Sequence, residues 1–233
     1  MNKKSLNKVS LLGQISVQNH EPVKARCRVL IVSEGTKTEP NYFKSFDMIQ
    51  HGGLVINVDC KGEGQNTTQV VRTAIHLKNM AIKNGNPYDA VWAVFDKDDF
   101  PTDKFNTAIS MAEQNEIAVA WSNEAFELWY ILHFEYRNTP MARQEYQKEI
   151  TRQVRVTAGD KKYTYQKNAQ DTHLLLEKYG DETLAIQNAE RLVQGYSDRR
   201  YAEHNPCTMV YRLVRLLRGE DEEFNQHFIQ IMK

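Results

Sequence analysis

Six acidic side chains stand where the chain could bring them together for chemistry. Glu34 closes the apolar run VLIVS (29–33), and Glu39 follows five residues on. Asp96 and Asp98 lie in FDKDDF (95–100), behind a second apolar run. Two residues apart on an extended segment, they project to the same side. Glu124 and Glu127 lie in NEAFELWYIL (123–132); three apart, they share one face of a helix. Carboxylates crowded into one place repel unless they are protonated or neutralised by a cation. Hard oxygen donors suit Mg²⁺ or Mn²⁺, which keep part of their hydration and also hold phosphate oxygens.

Each motif also has an ordinary reading. A Glu-Gly pair after a strand is often a turn, and Asp-x-Asp is common. Glu124 as a first-turn acid would interact favourably with the helix dipole. Glu127 is harder to set aside, because it sits inside AFELWYIL. A carboxylate buried there needs a partner or a metal. The conjunction carries the argument: acids follow three separate apolar runs.

The elements that must position these acids are legible from periodicity. CRVLIVS (27–33) reads as a buried strand. Residues 38–50 read as a helix, with Thr38 as cap and Pro40 in the first turn. LVINVDC (54–60) is a second strand, 61–69 contain a loop, and 67–85 give a long helix ending at Gly85. Residues 88–96 form a third strand, 103–115 a helix, 117–122 a fourth strand and 123–136 a strongly apolar helix. From 141 onward the pattern predicts helices alone, over 142–154, 168–179, 182–196, 206–218 and 220–232. Strands alternating with helices imply an α/β fold with a mainly parallel sheet, flanked by helices. Three parts are expected: a flexible arm over 1–25, a core over 26–136, and a C-terminal helical extension over 137–233 packed on it. In such a sheet the carboxyl ends of the strands form the ligand-binding edge.

Composition narrows the function. The chain has 233 residues, 41% of them hydrophobic and 26% charged, which suits one sizeable soluble domain. No apolar run is long enough for a bilayer, and no apolar segment of signal-peptide type follows the Lys-rich start. Cys27, Cys60 and Cys207 are widely spaced, which fits a reducing cytoplasm and argues against structural zinc. The seven histidines show no zinc-protease spacing, and His133 reads as a core or edge residue. KGEGQ (61–65) lacks the P-loop pattern.

Net charge is zero but unevenly spread. Residues 85–136 carry ten acids against two bases, and 137–168 carry eight bases against three acids. An acidic centre beside a basic flank suits a cation-dependent enzyme acting on a polyanion; two ordinary solvated faces would also account for it. Lys37, Arg152, Arg155, Lys161, Lys162 and Tyr163 are the candidates for contact with a nucleic-acid backbone or base.

The segments VSEGTKTEPNYF (32–43), AVFDKDDF (93–100) and SNEAFELWYILHFE (122–135), in that order, resemble the RloB-like proteins. YQKN (165–168) and NPCTMVYRLV (205–214) extend the likeness, which spans roughly residues 27–218. The resemblance implies a TOPRIM-type, Rossmann-like catalytic fold with metal held by Glu34, Asp96 and Asp98. Related nucleases of the OLD type carry a second acid in the first motif, matched here by Glu39. The resemblance also implies a role in bacterial anti-phage defence beside an ABC- or AAA-type ATPase. One departure stands out: Asp99, Phe100 and Pro101 follow Asp98 where TOPRIM motifs usually continue with glycine. The expected activity is Mg²⁺- or Mn²⁺-dependent hydrolysis of phosphodiesters in RNA or DNA. Glu34, Asp96 and Asp98 would be catalytic, and Glu39 or Glu127 would complete the metal shell or hold a second ion. Lys167, in the Tyr-x-Lys match, would offset charge on the phosphate, although an exposed lysine at a basic helix start would look the same. A non-catalytic regulatory or nucleic-acid-binding subunit of an ATPase complex is the alternative, and a homodimer is left open.

Overall fold

The central strand β1 (Ala25–Ser33) carries an apolar, largely β-branched run from Val29 to Val32 that is buried on both faces. That is the pattern of a strand inside a parallel sheet. In the computed structural model, which describes residues 25–47, 50–51, 54–64 and 66–224, β1 lies between β3 (Leu54–Gly62) and β4 (Ala90–Asp96). Both neighbours run parallel to it, in registers that bring Ser33 beside Gly62 and Val94. β5 (Ala118–Asn123) continues the parallel set beside β4. Short antiparallel strands close the edges: β2 (Gln50–His51) on β3, and β6 (Cys207–Thr208) on β5. Among the described residues the order is β2-β3-β1-β4-β5-β6.

The chain leaves β1 toward β3, then crosses back to β4 and continues to β5. The strand order therefore reverses between β1 and β4, and a cleft opens beyond their carboxyl ends. Glu34 and Asp96 stand at that point.

Alternation along β1 divides the core. Leu30 and Val32 pack with α2 (Thr67–Lys83) and α3 (Thr102–Gln114) on one face. Cys27, Val29 and Ile31 face α1 (Thr38–Phe43), α4 (Glu127–Leu132), α5 (Arg143–Ala158), α6 (Thr172–Tyr179), α7 (Glu182–Gln194) and α8 (Val210–Leu217). Tyr146, Ile150, Leu176, Leu192 and Leu213 share one apolar cluster with Val29 and Ile31. Side chains from after residue 137 thus complete the core of the sheet. Each large apolar side chain fully buried contributes about 1.5–3 kcal/mol.

Several elements differ from the sequence reading, for local reasons. The helix expected over 38–50 stops at Phe43 and tightens into a 3₁₀ turn over Lys44–Phe46. Asp47 is extended and its carboxylate accepts the Val58 amide at 2.9 Å, which ties the chain to β3 instead. Thr38 is the first helical residue rather than the cap, and its hydroxyl donates to Asn168 Oδ1 at 2.9 Å. The helix expected over 123–136 is confined to Glu127–Leu132. Its end carbonyls are taken by tertiary donors: Asn188 Nδ2 to Leu132 O and the Asp181 amide to His133 O, both at 2.9 Å. All six of its residues are buried, so it shows no polar stripe. His133 lies in the core, bonded through Nδ1 to Trp129 O at 2.9 Å, and burial pushes its pKa down to about 4.

The pairing of Ser122 with Thr208 makes β6, where helix was expected from 206, and delays α8 to Val210. The hydroxyls of Ser122 and Thr208 lie 2.9 Å apart. The N-terminal arm, apart from Ala25, and the last predicted helix beyond residue 224 lie outside the described residues.

Gly62 ends β3 against the loop that follows β1. A Cβ there would stand 2.6 Å from both Gly35 O and Thr36 Cα, which are backbone atoms. Gly62→Ala is expected to cost about 1–3 kcal/mol. Thermal denaturation reads this as about 2–4 °C per kcal/mol for a chain of this size. An unchanged melting temperature would show that the 34–36 loop yields freely.

Candidate active site

The loop after β1 is fixed on three sides. The Glu34 amide donates to Val94 O at 2.9 Å, the Gly64 amide donates to Glu34 O at 2.9 Å, and Ser33 Oγ donates to Gly35 O at 2.9 Å. Thr67, the buried first residue of α2, reaches the Glu34 carboxylate at 3.5 Å. Glu39, in the first turn of α1, folds back over Gly35, so closely that a Cβ on Gly35 would lie 2.0 Å from Glu39 Oε2. The missing side chain at Gly35 makes that approach possible. Glu39 is only 5% exposed, and its Oε2 is buried without a hydrogen-bond partner.

Asp96 ends β4 and is 9% exposed. The chain does not stay extended beyond it, as the spacing had suggested. Asp98 has φ 37° in a turn, with its amide donating to Glu124 O at 3.1 Å. Aspartate enters this left-handed region more readily than most residues. The turn still leaves Asp98 on the cleft. Glu127 opens α4, is 3% exposed and also faces the cleft. Glu124 is not among the cleft-lining residues; its carbonyl holds the Asp98 turn.

Two cations arrive from the helical extension. Lys167 Nζ lies 4.0 Å from Glu127 Oε1. Its neighbour Asn168 is the residue that receives the Thr38 hydroxyl, so the 165–168 loop is docked on the start of α1. Arg143, the first residue of α5, is ion-paired with Asp98 and lies 3.8 Å from Asp96 Oδ2. Sequence reasoning counted Arg143 only as part of the basic flank. Its one signal was a position at the start of a helix following Pro140, and nothing in that pointed to Asp98.

The cleft, of about 280 Å³, is thus lined by five carboxylates (Glu34, Glu39, Asp96, Asp98 and Glu127) against Arg143 and Lys167. Burial first, and the excess of negative charge after it, raise the proton affinities here. Burial, then the charges of Glu39 and Glu127, holds the Asp96 carboxyl well above its usual range, against the pull of Arg143. Burial, then Glu127, raises Glu39, opposed by its own amide, Lys167 and the Gly35 amide. Burial also raises Glu34, with Glu39 adding to the effect and the Asp96 backbone, Arg143 and Thr67 opposing it.

Hard oxygen donors, an uncompensated negative charge and the orphaned oxygen of Glu39 fit a divalent cation such as Mg²⁺ or Mn²⁺. Among the described residues, no three His, Cys, Asp or Glu side chains are grouped at ligand spacing as they stand.

The side chains proposed for nucleic-acid contact do not line the cleft, although Lys37 stands between two residues that do, Thr36 and Thr38. Lys37 is exposed immediately before α1. The Arg152 guanidinium is engaged with Glu149 and with Glu135 at 3.3 Å. Arg155 Nε donates to Tyr163 O at 2.7 Å. Lys161 and Lys162 are exposed, and Tyr163 is half-buried against the core. Tyr165 is buried, edge-on to Tyr130 at 6.3 Å, so it offers no face to a base. None of these lines the acidic cleft.

The fold and cleft define an open α/β protein with an acidic site at the switch point of a mainly parallel sheet. The chain belongs to the RloB-like protein family, whose model matches residues 29–217. No curated protein and no solved structure matches it.

The raised carboxyl groups set a pH dependence. The folded state holds their protons more tightly than the unfolded state, so ionisation opposes folding. Their contribution to stability is fully present at low pH and is lost as pH rises through the raised values. Asp96→Asn is therefore expected to melt above the wild type without added metal, by a margin that widens as pH rises above the ordinary aspartate value of about 4. Parallel melting curves above that pH would show that Asp96 is not held under charge strain.

Proposed function

We propose that this chain is a Mg²⁺- or Mn²⁺-dependent nuclease that hydrolyses phosphodiester bonds in RNA or DNA. The observation that carries this reading is the convergence of Glu34, Glu39, Asp96, Asp98 and Glu127 on one cleft at the switch point of the sheet. Membership of the RloB-like family supports it.

Glu34, Asp96 and Asp98 would hold the principal ion, with Glu39 or Glu127 completing its shell. A divalent ion there supplies electrophilic stabilisation to the phosphate and its leaving oxygen. The protein's own groups do the rest. Asp96 and Glu34 sit on a strand end and a clamped loop, so the donors are preorganised. Where Glu127 completes the shell, Glu39, whose Oε2 has no hydrogen-bond partner, is suited to take a proton from an attacking water. Lys167, beside Glu127, is placed to offset charge on the scissile phosphate. In this reading the exposed Lys37, Lys161 and Lys162 supply non-specific backbone attraction.

The family likeness extends the proposal to anti-phage defence in the cytoplasm, in the company of an ABC- or AAA-type ATPase. Among the described residues no helix is long and apolar enough to cross a membrane. One observation favours the other reading, a non-catalytic subunit of such a complex: Arg143 and Lys167 already pair with Asp98 and Glu127.

Incubation of the protein with tRNA, mRNA and plasmid, with and without Mn²⁺, separates the two. Metal-dependent cleavage is expected, falling by about 100-fold or more in Glu34→Gln and in Asp96→Asn. Equal cleavage by wild type and both variants would end the nuclease assignment.

A further inference from the structure

The ion pair between Arg143 and Asp98 has no role in the reading above. It occupies the carboxylates that the reading assigns to the metal, and its partner residue comes from a different part of the chain. Asp98 has φ 37° in a turn after β4, while Arg143 starts a sixteen-residue helix anchored in the core by Tyr146, Ile150 and Val154. The base of the arginine is therefore fixed. Its side chain lines the cleft and is 39% exposed, on a stem long enough to carry the head to another partner. The guanidinium reaches Asp98 and stands 3.8 Å from Asp96 Oδ2, so one cation spans both acids of the Asp-x-Asp pair. Its planar fork matches carboxylate and phosphate alike.

We propose that Arg143 is an exchangeable counter-ion. It neutralises Asp96 and Asp98 while the site lacks metal, and it yields them to the divalent cation. It then turns its guanidinium to the backbone phosphate of the bound nucleic acid. The proposal rests on the metal-dependent reading and deepens it, naming the device by which the acids remain folded together before the ion arrives. A guanidinium and a divalent ion cannot both take the same carboxylate oxygens at close range, since they repel. The same repulsion directs the released head outward, to where the polyanion lies. Arg143 would then touch substrate only in the loaded state.

Two binding measurements on the full chain test this without reading turnover. Mn²⁺ affinity is measured by titration calorimetry for wild type, Arg143→Gln and Arg143→Lys. Oligonucleotide affinity is measured by fluorescence anisotropy, using a labelled mixed-sequence RNA and the matching DNA in Ca²⁺. Arg143→Gln is expected to bind Mn²⁺ about tenfold more tightly, because the competing cation is gone. Arg143→Lys, which keeps a cation, is expected to stay near wild type and serves as the folding control. Arg143→Gln is expected to bind the oligonucleotide more weakly, with a salt dependence shallower by about one phosphate contact. Unchanged or weaker Mn²⁺ binding by Arg143→Gln, where the wild type binds, overturns the exchange and leaves the metal site standing. Unchanged oligonucleotide affinity overturns the transfer to phosphate. No Mn²⁺ binding by any of the three proteins overturns the metal-dependent reading, and the exchange with it.

Discussion

Charge repulsion among buried carboxylates is the constraint around which the rest of the molecule is arranged. A parallel sheet whose strand order reverses between β1 and β4 brings its acids to one edge whether or not they can tolerate each other. Glu39, Asp96 and Glu127 are each less than a tenth exposed, and water screens them little. Left unneutralised, such groups protonate or unfold the site. The raised proton affinities of Glu34, Glu39 and Asp96 come first from burial and then from the neighbouring carboxylates. Glu39 also keeps one oxygen without a hydrogen-bond partner.

The helical extension answers that constraint. Its apolar residues finish the core on one face of the sheet, and two of its polar residues bring positive charge to the acids. Neither delivery depends on a flexible tether. Arg143 projects from a helix start whose next buried residue, Tyr146, is locked in the core. Lys167 is carried by a loop pinned through Asn168 to Thr38. Packing and electrostatics are thus satisfied by the same segments. The burial of Tyr165 next to Glu127 belongs to the same arrangement: the phenol's own proton is held more tightly, by burial first and by the Glu127 charge second.

How much of this was legible in the sequence follows from which forces are local. β1, β4 and β5 could be read because a buried parallel strand leaves an unbroken apolar run, and the acids at their ends could be read with them. The short edge strands β2 and β6 could not, since two residues carry no periodicity and their pairing is decided by the strand they meet. The truncation of α4 was equally hidden, because Asn188 and Asp181, more than forty residues away, take its terminal carbonyls. Charge counting located the basic flank but not its purpose. Arg152 is spent on Glu149 and Glu135, and Arg155 on the Tyr163 carbonyl. Arg143, one of the same eight, crosses to the acidic half. A tally of signs along a chain carries no information on which of them face inward.

The docking of Asn168 on Thr38 joins residues 130 positions apart, on the two sides of the boundary that the sequence suggested at 136. A fragment cut at that boundary would keep every carboxylate and lose both of the cations that accompany them. The acidic motifs of this chain are consequently not portable. Grafted onto another sheet, they would form a cluster with nothing to hold it closed. Length changes between residues 137 and 167 would act on the chemistry directly, by altering where two positive charges land.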